Sequence, residues 1–311
     1  MKKDEALKKI PEELLDRYEY NDYLGSGGFS DVFLVKGKNS ETQRALKVMN
    51  SNHILNMLEK EESEDVVFKK FDKIKMRFLR EAELYTQFNH PNIVKIDNYG
   101  LIEDKNVGIT IPYLVMEYIN GVQLRDILRE QESIGYSRIM QISTEILKAL
   151  VYIQKTSTIH RDLKPENIII EDKGKGKSVL IDFGLAKNVI DDFTLTTTGA
   201  AVGTLLYMAP EHFDDNSKLS IATDIYAMGV MLFEMLTGKA PFRGDKEIDI
   251  IQSHLYEPVP DIMKEQPNLP NGMGKIIKKA MAKKIEKRYQ NAKEMLLELK
   301  TIKYTSLSHG S

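Results

Sequence analysis

The chain contains no cysteine. Disulfides, thiolate catalysis and Cys-ligated zinc are therefore excluded, and a reducing interior suits it. It also lacks an excess of either charge: 44 Lys and Arg stand against 46 Asp and Glu, a net charge of −2. No global basic field exists to draw in nucleic acid or an anionic membrane, so neither is expected as a partner. Long apolar runs are missing too. The richest, Ile225 to Leu236, contains Glu234, follows Asp224 and is too short to span a bilayer. The start, Met1-Lys2-Lys3-Asp4-Glu5, lacks the apolar core of a secretory signal. There is no internal repeat and no low-complexity tract. What is present is ordinary: 311 residues, 42% hydrophobic and 29% charged. That composition excludes wholesale disorder and predicts a soluble, cytoplasmic chain of one large domain or two packed lobes.

The apolar pattern changes character along the chain. Residues 1–17 are charged with sparse apolar positions and predict a surface helix that Pro11 breaks or restarts. Tyr18 to Met49 read as an antiparallel meander around a Gly cluster. Residues 53–88 read as helical; Ile74, Phe78, Ala82 and Tyr85 recur at spacings of four, four and three and form one stripe. The part before it, Glu59 to Lys75, is dense in both charges and reads as a solvated insertion. Two further strands are expected near Ile93–Tyr99 and Gly108–Tyr118, after which Gly121 breaks the pattern. The remainder reads as mostly helical. Ile139, Ile142, Ile146, Leu147, Leu150 and Ile153 share a face, and Asp224 to Leu236 is apolar nearly all round, as a buried central helix would be. The strip Lys173–Lys177 reads as a solvated hairpin turn.

Several residues carry chemistry. Gly25-Ser26-Gly27-Gly28-Phe29-Ser30 lies between two strands. Glycines let backbone N–H groups approach an anion. A dinucleotide site would need a helix right after them, whereas Val32 to Val35 reads as a strand. Lys47, in Ala45-Leu46-Lys47-Val48, alternates with apolar neighbours; turned inward it needs a carboxylate or phosphate, and Glu81 on the following helix can supply the former. In His160-Arg161-Asp162-Leu163-Lys164-Pro165-Glu166-Asn167, Pro165 forbids a continuous helix, which puts Asp162 and Lys164 in a loop. Asp162 can accept a proton, Lys164 can neutralise a phosphate oxygen, and Asn167 can offer an oxygen to a hard cation. Asp182, in Ile181-Asp182-Phe183-Gly184, adds a carboxylate at a strand end, and with Asn167 it makes a candidate Mg²⁺ site.

With these residues in their order, and with Ala209-Pro210-Glu211 after them, the chain resembles the protein kinase family over roughly Tyr18 to Leu299. The resemblance implies an α+β, two-lobed protein kinase fold, with an antiparallel-sheet N-lobe and a mainly helical C-lobe. It implies an N-terminal extension at 1–17, an N-lobe at 18–117 with a helical insertion about 53–75, a C-lobe at 118–305 and a tail at 306–311. It further implies Mg·ATP as cofactor and phosphoryl transfer to protein hydroxyls. Lys47 would hold phosphates and pair with Glu81, Asn167 and Asp182 would hold Mg²⁺, and Asp162 would orient and deprotonate the acceptor beside Lys164. Nucleotide-binding residues would be Leu24, Gly25, Ser26, Gly27, Gly28, Phe29, Ser30, Val32, Ala45, Met116, Glu117, Tyr118, Ile119 and Ile169, with Met116 to Ile119 as the hinge.

Finer features narrow the group. Lys164 and Thr204 fit the serine/threonine class, and Gly-Gly-Phe-Ser with Asn89-His90-Pro91-Asn92-Ile93-Val94 looks most like bacterial serine/threonine kinases. Tyr85, Ile96, His160 and Phe183 resemble the family's hydrophobic column with Asp224 at its base, and Glu211 and Arg288 its buried ion pair. Ser30 replaces the third loop glycine, and the separation of Lys47 from Glu81 is longer than the family's usual one. The loop from Asp182 to Glu211 holds Thr194, Thr196, Thr197, Thr198 and Thr204, with Thr196 and Thr198 as expected phosphosites. Thr204 is expected to contact Asp162 and Lys164. A transient homodimer would serve phosphorylation between molecules. A pseudokinase scaffold would lack Lys47, Asp162, Asn167 or Asp182; a small-molecule kinase would lack the Ala-Pro-Glu segment.

Overall fold

The computed structural model describes residues 3–26, 30–50, 64–105, 108–130, 134–172, 176–182, 202–214 and 219–302. The described residues fall into two compact units. One runs to Ile119 apart from His90–Ile93; the other comprises His90–Ile93 and the chain from Asn120.

The first unit is built on a five-stranded sheet ordered β1-β2-β3-β5-β4, every neighbouring pair antiparallel. Its strands are β1 (Tyr18–Ser26), β2 (Ser30–Gly37), β3 (Gln43–Met49), β4 (Ile96–Asp104) and β5 (Ile109–Glu117). Alternation sorts their side chains. Phe33 and Val35 of β2, Leu46 and Val48 of β3, and Ile111, Tyr113 and Val115 of β5 join one buried cluster. Two short helices, α1 (Lys3–Leu7) and α2 (Glu12–Arg17), and the turn between them add Ala6, Leu14 and Ile10 to that same cluster. The N-terminal segment is thus the expected surface helix, split at Pro11, and the sparse apolar positions it buries make it a cover for the sheet. Pro11 stands as the N-cap of α2.

Helix α3 (Glu64–Thr86) packs on β4 and β5. It runs 23 residues without a break, so the second half of the expected insertion, from Glu64 on, belongs to the main helix. Phe71, Phe78, Ala82 and Tyr85 form its buried stripe. Residues 51–63 and the Ile74 side chain lie outside the described residues. Strand β4 lies later than its pattern predicts, because Ile102 alone of its second half faces the core.

The second unit is mainly helical. It contains α4 (Leu124–Glu130), α5 (Tyr136–Gln154), α6 (Val202–Leu205), α7 (Ile221–Thr237), α8 (Glu247–Tyr256), α9 (Ile262–Glu265), α10 (Met273–Ala280) and α11 (Ala292–Thr301). The six apolar residues of α5 singled out in the sequence are all buried. Helix α7 is buried from Ala222 to Met235, Asp224 and Glu234 included. Ser220 caps its start, with its hydroxyl 3.3 Å from the Ala222 N–H, and Gly238, at φ 76°, ends it in the left-handed conformation. A small antiparallel sheet, β6 (Gly121–Gln123), β7 (Ile168–Glu171) and β8 (Ser178–Leu180), completes the unit. Gly121 therefore opens a strand instead of interrupting one. A Cβ there would sit 2.2 Å from the Ile170 carbonyl oxygen, so the close pairing of β6 with β7 demands glycine. Among the described residues no helix is long and apolar enough to cross a membrane.

Candidate active site

In the first unit, the strand register gathers several candidate residues on the sheet face opposite the buried cluster. Val32 pairs with Lys47, Lys47 with Leu114, and Ala45 with Met116, so Val32, Ala45, Lys47 and Met116 are cross-strand neighbours. Lys47 is half-buried there, and Glu81 is half-buried on α3. Gly25 and Ser26 end β1, and Ser30 starts β2; Gly27, Gly28 and Phe29 lie outside the described residues. Leu24 is exposed, Glu117 is exposed at the end of β5, and Met116 and Ile119 are buried.

In the second unit, the loop from His160 to Lys164 is held from below by Asp224. This carboxylate, only 2% exposed, accepts the backbone N–H of His160 at 2.8 Å and that of Arg161 at 2.9 Å. Burial drives its pKa up to about 6, against the pull of those two N–H groups and of the Arg161 charge. The clasp holds Arg161 at φ 66°, a left-handed conformation that costs a non-glycine residue about 1 kcal/mol or more. His160 is wholly buried beside Asp162 and the backbone of Asp182; desolvation lowers its pKa to about 4 and keeps it neutral at pH 7.

The candidate reactive groups stand on that base. Asn167 donates its Nδ2 to the Asp162 carbonyl at 2.7 Å and to Asp162 Oδ2 at 3.0 Å. Lys164 Nζ lies 2.9 Å from the same Oδ2 and 3.2 Å from Thr204 Oγ1. The expected Lys164–Thr204 contact is therefore present. Pro165 starts a single 3-10 turn, Pro165–Asn167, and that turn delivers Asn167 to the start of β7. There Ile168 pairs with Leu180, and the Asn167 carbonyl accepts from the Ile181 N–H at 2.9 Å. Register thus sets Asn167 and Asp182 at neighbouring strand ends, and Ile169 follows within β7. Among the described residues there is no cluster of three or more His, Cys, Asp or Glu that could hold a metal. One carboxylate and one amide oxygen nonetheless fit Mg²⁺, which takes few protein ligands beside substrate phosphates and water. Because Asn167 spends its Nδ2 on Asp162, its Oδ1 is the atom suited to a cation. Phe183, Thr196 and Thr198 lie outside the described residues.

The buried ion pair expected at Glu211 is present and bidentate. Arg288 reaches Oε1 and Oε2 at 2.7 Å each, and Thr223 Oγ1 donates to Oε1 at 2.8 Å. Burial raises the Glu211 pKa, but Arg288 and Thr223 outweigh it and leave the carboxyl below its usual range. A second network is one the sequence reading missed. Arg125 of α4 reaches Glu166 at 2.8 Å, Glu234 at 2.9 Å and the Tyr207 hydroxyl, which in turn donates to Glu234. It ties the loop from His160 to Asn167 to the segment after Thr204 and to α7. Its signal was available: Glu234 sits in an apolar run, and a buried carboxylate needs a cation.

Comparison with known proteins finds relatives over most of the chain. The sequence profile of the protein kinase domain matches residues 18–299. The chain is 34% identical over 291 residues to serine/threonine-protein kinase PknB of Mycobacterium tuberculosis, covering 93% of this chain and 43% of that one. It is 33% identical to the probable serine/threonine-protein kinase PknB of Lactococcus lactis, covering 92% of this chain and 42% of that one. It therefore spans about two fifths of these relatives' length. Among solved structures it resembles the PknI kinase domain of Mycobacterium tuberculosis, at TM-score 0.67, 19% identity, 92% of this chain and 95% of that one. It also resembles Rad53 1-466 in complex with AMP-PNP, at TM-score 0.68 and 24% identity, covering 91% and 65%. At those identities the two structures establish the fold alone.

Proposed function

The chain belongs to the protein kinase family, and we propose that it is an active serine/threonine kinase, transferring the ATP γ-phosphate to Ser and Thr hydroxyls of proteins. The observation that carries this reading is Asp162, held by Asn167 and Lys164 in a loop fixed from beneath by Asp224. Asp162 orients the acceptor hydroxyl and takes its proton as the oxygen attacks the γ-phosphorus and the bond to the ADP oxygen breaks. Lys164, beside both Asp162 and Thr204, neutralises charge on the transferred group. On the sheet, Val32, Ala45 and Met116 offer apolar contact to the base, and Lys47 meets the phosphates and pairs with Glu81. Asn167 and Asp182 hold Mg²⁺, which supplies charge neutralisation on the phosphate oxygens. The serine/threonine assignment is supported by the Lys164–Thr204 contact and by the names of the bacterial relatives.

The test is transfer of labelled phosphate from ATP, with and without a generic protein substrate. The parent should label itself and the substrate. Asp162→Asn and Asp182→Asn should each lose most of the transfer while keeping the thermal midpoint. Normal turnover in either well-folded variant overturns the assignment of that residue.

A further inference from the structure

The N-terminal helices lie outside the match to the protein kinase domain, which begins at residue 18, yet they are built into the core of the first unit. They also reach the Gly-rich hairpin. Asp31, the second residue of β2, is 3% exposed and pairs across the strands with Ser26, the last residue of β1. The rung Ser26–Asp31 is thus the described pair nearest the loop tip. The Asp31 carboxylate is fully engaged. Lys9 Nζ and the Tyr23 hydroxyl reach Oδ1 at 2.9 and 2.8 Å, and Asn50 Nδ2 reaches Oδ2 at 3.1 Å. Lys9 lies between α1 and α2 and is the one charged donor of the three; it also stands 5.8 Å from the Tyr23 ring. A carboxylate this buried needs a cation nearby, so Lys9 is chemically required by Asp31.

We propose that Lys9 is a positioning residue for the nucleotide: through Asp31 it fixes the rung that closes the β1–β2 hairpin, and so sets the affinity for ATP. Strand alternation makes this an action from behind. Asp31 and Phe33 face the N-terminal helices, whereas Ser30 and Val32 face the side that carries Ala45 and Lys47. Lys9 touches no substrate. It holds the strand whose opposite side meets it, and its loss lets the hairpin shift in register and height. The inference rests on the reading of this face as the nucleotide site.

Two measurements separate the inference from that reading. Affinity for AMP-PNP and the split of KM for ATP from kcat are compared among the parent, Lys9→Met, Lys9→Arg and Asp31→Asn. Backbone hydrogen exchange of β1 and β2 is followed in the same proteins without nucleotide. Lys9→Met should raise the KM for ATP three- to tenfold with kcat within twofold, speed exchange at the Ser26–Asp31 end of the hairpin, and be largely restored by Lys9→Arg. Asp31→Asn keeps the shape of the side chain and should act in the same direction. The double variant Lys9→Met, Asp31→Asn should be no worse than the stronger single one, since both remove one interaction. Unchanged exchange and unchanged KM in Lys9→Met, or fully additive losses in the double variant, overturn the proposal. A parent that binds no AMP-PNP overturns the reading of the face; hydrogen exchange then still decides whether Lys9 holds the hairpin.

Discussion

Glu211 and Arg288 illustrate how the value of a charge depends on its partner. Both side chains are almost wholly buried, at 2% and 0% exposure, so each has lost its water. Arg288→Met leaves the Glu211 carboxylate with Thr223 and no cation, which should cost about 3–5 kcal/mol. Glu211→Gln with Arg288→Met should cost less than Arg288→Met alone, because no bare charge is left behind. Thermal midpoints of the two variants check this, and equal losses refute it. The buried histidines make a second residue-scale prediction. Desolvation lowers the pKa of His160 to about 4 and of His254 to about 3, so both are neutral when folded, whereas the unfolded chain protonates them near 6.5. Their contribution is present above 6.5 and is lost as pH falls. Asp224, raised to about 6 by burial, works in the opposite sense, because the folded chain takes up its proton first. Among these three groups, two histidines against one carboxylate leave a net of one proton, or about 1.4 kcal/mol of stability lost per pH unit between roughly 6 and 4, and His90, whose pKa burial also lowers, adds in the same direction. Unfolding midpoints in denaturant at pH 6.5 and 5 should fall accordingly, and His254→Gln should reduce the slope by about 1.4 kcal/mol per pH unit. A slope unchanged by that substitution would show that His254 does not titrate on unfolding.

Elements are where close packing is decided, and Gly229 in the middle of α7 is the clearest case. A Cβ there would stand 2.8 Å from the Ala280 Cβ and 2.8 Å from the Met281 Cγ, at the end of α10. Replacing glycine by alanine in a helix gains about 1 kcal/mol of propensity. Overpacking costs about 1–3 kcal/mol, and Ala280, a short side chain on helix backbone, cannot swing away. The clash should win, so Gly229→Ala should lower the thermal midpoint, and Gly229→Val more so; a rise in Gly229→Ala would mean that the two helices separate at little cost. The sequence showed α7 as a buried helix, because its apolar residues leave no polar face. It did not show that α10 must approach so near, since a glycine inside a helical pattern has no signal of its own. Gly121 was misread for the same reason: glycine as a breaker and glycine as a point of close backbone contact look identical in one dimension. The N-terminal helices were foreseen, but not the sheet face they cover. Ala6, Ile10 and Leu14 are too few to make a stripe, yet three small contacts suffice when a sheet face waits for them.

At the scale of the whole molecule, the candidate chemical residues were legible because they sit in short motifs that follow one another along the chain, while in the network of Arg125, Glu166, Tyr207 and Glu234 only Glu234, a carboxylate in an apolar run, gave a sign, because the partnership spans distant segments. The same limit bears on control. Arg161 adjoins Asp162 and is held in a left-handed conformation by Asp224. Its Nε is buried with no hydrogen-bond partner among the described residues. A buried guanidinium nitrogen in that condition favours an anion, and a phosphothreonine carries about −1.5 to −2 charge with strong acceptor oxygens. Thr196 and Thr198 lie in the segment that leads to Thr204, whose hydroxyl already meets Lys164. Phosphate on one of them, paired with Arg161, would steady the path from Asp182 to Glu211 and with it the surface on which the acceptor rests. Mass spectrometry after incubation with ATP should find phosphate at Thr196 or Thr198 in the parent and none in Asp162→Asn. Initial rates on a protein substrate should fall at least tenfold in the Thr196→Ala, Thr198→Ala variant and in Arg161→Gln, and combining them should cost nothing more. A double-alanine variant as fast as the parent would place control elsewhere in the chain.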